Sequence, residues 1–218
     1  MALSRLPSTL LASALALAGA ANASAANTLV SEGFDNDNSV YTLASHGWVL
    51  TNNSTPGGST GWFSGEGFQF PSQGGAGYAA ADFNNAPAGG TIDNWLITPQ
   101  FSTAIRGQVT VWLRGMAEDP YIDTVKFGFS TGGSEITDFT TGSLVTATGD
   151  WTQYTFAYVA AGAGSMARFA IEYTGDADLS NYMGVDTLSI TAVPEPAAWA
   201  MFALGALGVA ARRRRSAR

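Results

Sequence analysis

The 218-residue chain has no cysteine and a single histidine, His46. Without cysteine there is no disulfide, no thiolate metal centre and no thiol nucleophile. A lone histidine removes metal sites built from histidine clusters and most acid–base schemes built on imidazole. Positive charge is scarce as well: ten Lys and Arg face seventeen Asp and Glu. Arg5, Arg212–Arg215 and Arg218 all lie at the two ends, so residues 26–192 keep only Arg106, Arg114, Lys126 and Arg168 against sixteen acids, a net charge of −12. Nucleic acid is therefore not a partner, because phosphates need Lys and Arg to displace their counterions. Such a surface suits an exported protein and favours divalent cations. Residues 26–192 also lack a convincing amphipathic helix and an internal repeat.

What the chain does have is most legible at its ends. Arg5 precedes the apolar stretch Leu10–Ala21, and Ala21-Asn22-Ala23 or Ala23-Ser24-Ala25 offers a small-x-small cleavage site. Residues 1–25 thus read as a secretory signal peptide that enters the Sec translocon as a short helix. At the other end, Val193-Pro194-Glu195-Pro196 is followed by the apolar run Ala197–Ala211 and by Arg212–Arg215. Pro194 and Pro196 keep the chain extended up to that run. Fifteen residues make about 22 Å of helix, short for a hydrocarbon core of roughly 30 Å. That length suits a segment processed after insertion, with the arginines on the cytoplasmic side. Residues 193–218, with Val193, Pro194, Glu195 and Pro196 as the motif, closely resemble the PEP-CTERM sorting signal of Gram-negative bacteria. The resemblance implies a short transmembrane helix and processing by the membrane protease exosortase. A C-terminal anchor that is never cut is the alternative.

Between the ends the pattern is β throughout. Gln108–Gly115, Thr124–Ser130, Trp151–Val159, Ala167–Tyr173 and Val185–Thr191 alternate with a period of two and are bounded by Gly, Asn and Asp. About ten such strands are expected in residues 26–192, forming an all-β jelly-roll sandwich. The Gly/Ser/Asn/Pro-rich stretch Thr51–Gly77 is too long for a hairpin connection and reads as an Ω-type excursion.

Within this domain Glu32-Gly33-Phe34-Asp35, Gly47-Trp48, Gly61-Trp62-Phe63, Asp93-Asn94-Trp95-Leu96-Ile97-Thr98-Pro99 and Gly184-Val185-Asp186-Thr187-Leu188-Ser189-Ile190 occur in order. Together they resemble the choice-of-anchor J family, related to cleaved-adhesin and MAM-like jelly rolls. The resemblance implies a jelly roll carried to bacterial surfaces by interchangeable C-terminal anchors and associated in relatives with adhesion or glycan contact. It conveys a fold more firmly than an activity.

Four carboxylates carry the clearest chemical argument. Val30, Glu32 and Phe34 share parity on the first strand, as do Asp186, Leu188 and Ile190 on the last, and Tyr78, Ala80 and Asp82. A carboxylate turned inward is costly unless paired or metal-bound, and basic partners are few. First and last strands commonly lie side by side in jelly rolls, so Glu32 and Asp186 are expected to converge, with Asp35 and Asp82 as further candidates. Such oxygen ligands suit a structural Ca²⁺, and the resemblance supports one near the termini. The other reading is that Glu32 and Asp186 cap loops by accepting backbone N–H bonds. No catalytic residue is assigned. Gly128-Phe129-Ser130-Thr131-Gly132 matches G-x-S-x-G, but a turn follows it and His46 precedes it, which suits a strand end better than a nucleophile elbow.

Aromatic residues of the excursion supply candidate glycan contacts: Phe68 and Phe70 as the exposed rings, and Trp62, which is expected to pack beneath the excursion. Trp48, Trp95, Trp112 and Trp151 are expected in the core. The functional expectation is a non-catalytic exported protein that contacts glycan or exopolysaccharide in the envelope, at the outer surface or in the extracellular matrix. A secreted carbohydrate-active hydrolase on the same fold is the alternative.

Overall fold

The computed structural model describes residues 26–35 and 39–193. The expected signal peptide, Pro194–Pro196, the apolar run and the arginine cluster lie outside the described residues, as do the helices expected at both ends. Among the described residues no helix is long and apolar enough to cross a membrane.

Thirteen strands follow one another: β1 (Asn27–Glu32), β2 (Val49–Asn52), β3 (Phe63–Gly65), β4 (Tyr78–Asp82), β5 (Thr91–Ile97), β6 (Phe101–Ser102), β7 (Gly107–Gly115), β8 (Thr124–Ser130), β9 (Thr140–Thr141), β10 (Val145–Thr146), β11 (Thr152–Tyr158), β12 (Met166–Asp176) and β13 (Tyr182–Ala192). Single helical turns occur at Ser39–Thr42, Leu43–His46, Phe83–Asn85, Ile136–Asp138 and Ala177–Leu179. All pairings are antiparallel. One sheet runs β11-β7-β13-β4-β3 with β1 also on β13; the other runs β10-β8-β12-β5-β2 with β6 on β12 and β9 on β8. The expected all-β sandwich is thus observed. The strands beyond about ten are the two- and three-residue segments β3, β6, β9 and β10, too short to show a period. The excursion Thr51–Gly77 is only partly loop, since β3 lies inside it and pairs with β4.

Alternation explains the core. Along β7, Val109, Val111 and Leu113 are buried while Gln108, Thr110 and Arg114 are not. They meet Phe127, Phe169, Ile171 and Tyr173 of the facing sheet, together with Val185, Leu188 and Ile190 of β13. Each such side chain contributes about 1.5–3 kcal/mol by leaving water. Phe127 and Phe169 stack at 5.9 Å between centroids, and Phe156 packs on both. On the outer face of the second sheet, Glu172 is buried beside Lys126 across β12 and β8, at 2.8 Å.

The first sheet carries a second, smaller core on its outer face. Phe70, Tyr78, Ala80 and Tyr182 form it, with Phe63, Met116 and Trp151 packed around them. Tyr78 lies over Gly65 and Gly184 on the flanking strands, where an added Cβ would sit 2.2 and 2.7 Å from its ring. Only glycine permits that approach. Trp112 and Trp151, expected inside, stand half-buried toward this outer side because their parity opposes that of Val111 and Leu113. Trp151 donates its indole N–H to the Pro71 carbonyl at 2.9 Å, which ties down the chain that covers the cluster.

Candidate functional site

The last strand positions the carboxylates. β7 pairs along nearly all of β13, while the other edge of β13 is shared: β4 takes Tyr182–Val185 and β1 takes Leu188–Ala192. A bulge between Asp186 and Ser189 marks the change of partner. The extra residue flips parity. Asp186 therefore faces the outer side with Gly184 and Trp112, whereas Leu188 and Ile190 face the core. Thr187 takes a φ of +46° at the bulge, a conformation β-branched residues rarely adopt.

Asp186 is fully buried there and holds the loop that leads into β4. Gln73 and Gly74 donate their N–H groups to its Oδ2 at 2.8 and 3.2 Å. Thr187 donates its own N–H to Oδ1 at 2.6 Å. The single proton of the Thr187 hydroxyl serves Asp186 Oδ1 at 3.2 Å and Gln73 Oε1 at 2.8 Å. Burial pushes the Asp186 carboxyl above its ordinary range, against the downward pull of these hydrogen bonds. Asp35 grips the same loop from the other side, accepting from Ala76 N–H at 2.7 Å.

The other two carboxylates work elsewhere. Glu32 pairs with Leu188 across the strands and accepts Phe34 N–H at 2.8 Å, closing its own turn. Asp82 lies opposite Tyr182, four positions along β13 from Asp186, or about 13 Å. It accepts from the Thr60 hydroxyl at 2.7 Å and from Asn84 N–H and Nδ2 at 3.1 Å each, capping the turn Phe83–Asn85. Among the described residues no group of three or more His, Cys, Asp or Glu side chains could hold a metal. Glu32 and Asp186, expected to converge, hold different segments: Glu32 closes its own turn, while Asp186 and Asp35 accept amides of one loop, and the set does not fit a calcium cage.

The excursion's rings also divide. Phe68 is 93% exposed, while Phe70 at 3% and Trp62 at 6% are buried. Phe70 stacks on Tyr78 at 5.0 Å, and the Arg114 guanidinium sits 4.5 Å from its ring centroid. It belongs to the outer core and offers no free face to a sugar; Trp62 belongs to the main core. Ser130 ends β8 and donates its hydroxyl to Gly133 O at 2.6 Å, and His46 is exposed on a helical turn. The G-x-S-x-G match is a strand end here. Asn94 and Thr98 of the Asn94–Pro99 stretch are structural: Asn94 Nδ2 donates to buried Asn85 Oδ1 at 2.8 Å, and Thr98 Oγ1 accepts Phe169 N–H at 3.0 Å.

A concave site appears where no sequence pattern pointed. Three connections, at residues 83–88, 118–121 and 177–181, enclose a cleft of about 640 Å³. Phe83 and Tyr121 stand half-exposed on it, beside Asn84, Asn181, Glu118 and Asp178. Phe83 N–H donates to Asn181 O at 2.9 Å, joining two of the connections, and Ile122 N–H donates to Leu179 O at 2.6 Å. Buried Asp123 supports the floor, accepting Asn181 N–H at 2.9 Å, Tyr182 N–H at 3.2 Å and the Tyr173 hydroxyl at 2.7 Å. The one available signal was an aromatic residue on an Asp119-Pro120-Tyr121 turn, which is too common to single out.

Comparison with known proteins bears on the C-terminal segment and on the fold. Residues 192–215 match the PEP-CTERM protein-sorting motif. No curated protein sequence matches the chain significantly. Among solved structures, the K1 cleaved adhesin domain of Lys-gingipain from Porphyromonas gingivalis W83 is similar at 22% identity and a TM-score of 0.59, over 76% of this chain and 99% of that one. The K3 domain of the same protein is similar at 19% identity and a TM-score of 0.57, over 77% and 99%. The K2 domain follows at 20% identity and a TM-score of 0.53, over 76% and 99%. The chain thus combines a β-sandwich of the kind seen in cleaved adhesin domains with a C-terminal PEP-CTERM sorting motif.

Proposed function

We propose that this is an exported, non-catalytic contact protein of a Gram-negative cell, trimmed by exosortase and held at the envelope, outer surface or exopolysaccharide matrix. The observation that carries the reading is the sorting motif at residues 192–215. The cleaved-adhesin-like fold supports an adhesive role, and the ordered sequence motifs support grouping the domain with choice-of-anchor J proteins. In this reading residues 1–25 are the signal peptide, 26–192 the working domain and 193–218 the sorting signal with its transient membrane helix. The strongly acidic domain agrees with export and with the absence of nucleic acid as a partner.

Co-sedimentation of the full-length protein with exopolysaccharide from its own producer, run beside a reducing-end assay, tests the contact role. Retention on the polysaccharide with no release of sugar is expected. Release that disappears in Glu118→Gln or Asp178→Asn, the two carboxylates of the cleft, would establish the hydrolase instead.

A further inference from the structure

We infer that the cleft between residues 83–88, 118–121 and 177–181 is a binding site for a neutral saccharide, an inference that deepens the contact function proposed above and rests on it. Its volume of about 640 Å³ lies within the roughly 300–1,000 Å³ of small-molecule sites. Phe83 is 46% exposed and Tyr121 41%, whereas Phe34, Phe70, Tyr78, Phe101, Phe169 and Tyr173 are buried. Two rings left open on a concave wall are platforms for the C–H faces of sugar rings.

Their placement is enforced. Asp82 caps the turn that carries Phe83, and Tyr121 N–H closes its own turn on Glu118 O at 2.8 Å. Beside the rings the cleft is lined by Asn84, Asn181, Glu118 and Asp178. Asn181 Nδ2 has only a long contact of 3.4 Å to Glu118, which leaves it free to donate to a ligand oxygen. Hydroxyls of a sugar both donate and accept, which matches a wall of amide and carboxylate.

Charge narrows the class. No Lys or Arg lines the cleft. Uronic-acid, sulfated and phosphorylated ligands would meet Glu118 and Asp178 without a counter-charge. A cationic ligand would pair with the same two carboxylates, and it is the competing class that the lysine-rich peptide tests below. A second groove of about 690 Å³, beside Phe129, Tyr158, Val159 and Met166, has no amide or carboxylate side chain and lacks this polar match.

The test uses the full-length protein in mild detergent on an array of neutral gluco-, galacto-, manno- and xylo-oligosaccharides, with a uronic-acid oligosaccharide and a lysine-rich peptide alongside. At least one neutral oligosaccharide should bind. Tyr121→Ala and Phe83→Ala should each weaken that binding by about tenfold or more, and Phe68→Ala should leave it within about twofold. Both cleft rings are half-exposed, so the variants keep the wild-type circular dichroism and melting curve, which are recorded in parallel. The inference falls if no neutral sugar binds, if the uronic acid or the peptide is preferred, or if both cleft variants bind as wild type. Binding lost only in Phe68→Ala would move the site to the excursion and leave the contact function standing.

Discussion

Replacing Asp186 with alanine lowers the folding stability of the purified protein by about 3–5 kcal/mol, a fall of about 6–20 °C in melting temperature. The reason is the number of donors left behind. Gln73, Gly74 and Thr187 all aim backbone N–H groups at this one buried carboxylate, and no other acceptor is supplied for them. Each orphaned buried donor costs about 1–3 kcal/mol, reduced where the loop can open to water. This loop also joins Phe70 to Tyr78, two members of the outer core. The charge itself adds a pH signature. Burial raises the folded-state pKa above the unfolded one, so the contribution of the carboxyl is full below about pH 4 and is lost as pH rises through the raised value. Urea titrations across pH should show the stability difference between wild type and Asp186→Asn narrowing above pH 4 and then levelling. Because amides already occupy Asp35 and Asp186, melting curves with chelator and with added calcium should superimpose. A calcium-dependent rise that Asp186→Ala abolishes would restore the metal.

Asp123→Ala should cost as much, about 3–5 kcal/mol, through a different part of the molecule. This carboxylate is 3% exposed and takes three donors, of which the Tyr173 hydroxyl is the most deeply placed. Burial first, and then the neighbouring Asp123 charge, push the Tyr173 hydroxyl far above its ordinary range, so it stays a donor at every working pH. Asp123→Asn keeps one acceptor oxygen but turns an NH₂ toward a donor, and about half the loss is expected. Because Asn181 N–H is one of the three, both variants should also weaken sugar binding at temperatures where they remain folded. Equal binding by wild type and Asp123→Asn would show that the floor does not shape the cleft.

The strands with clean alternation could be read from the chain almost to the residue: Thr124–Ser130 as expected, and β7 and β11 within one residue at each end. The pairing of the first and last strands was legible too. The bulge after Asp186 was not, because one extra residue reverses parity without altering composition. Asp186 and Leu188 look alike in a period-two count yet face opposite sides of the sheet. A similar limit applies to Phe68 and Phe70: both lie in the same polar excursion, and only the aromatic bed of Tyr78, Tyr182 and Trp151 decides which is buried. The cleft could not be anticipated, since Phe83, Tyr121 and Asn181 come from three connections that strand register brings together.

Removal of the C-terminal segment on arrival is the step on which the proposed function turns. Its most direct test is the intact mass and location of the protein in its producing cell, with and without exosortase. In the parent, the mature protein should end near Val193–Pro196, without Ala197–Ala211 or the arginines, and reside at the surface or in the matrix. In the exosortase deletion it should keep the tail and remain with the inner membrane. A protein carrying Arg212–Arg215 at the surface of both strains would show that the segment is not removed.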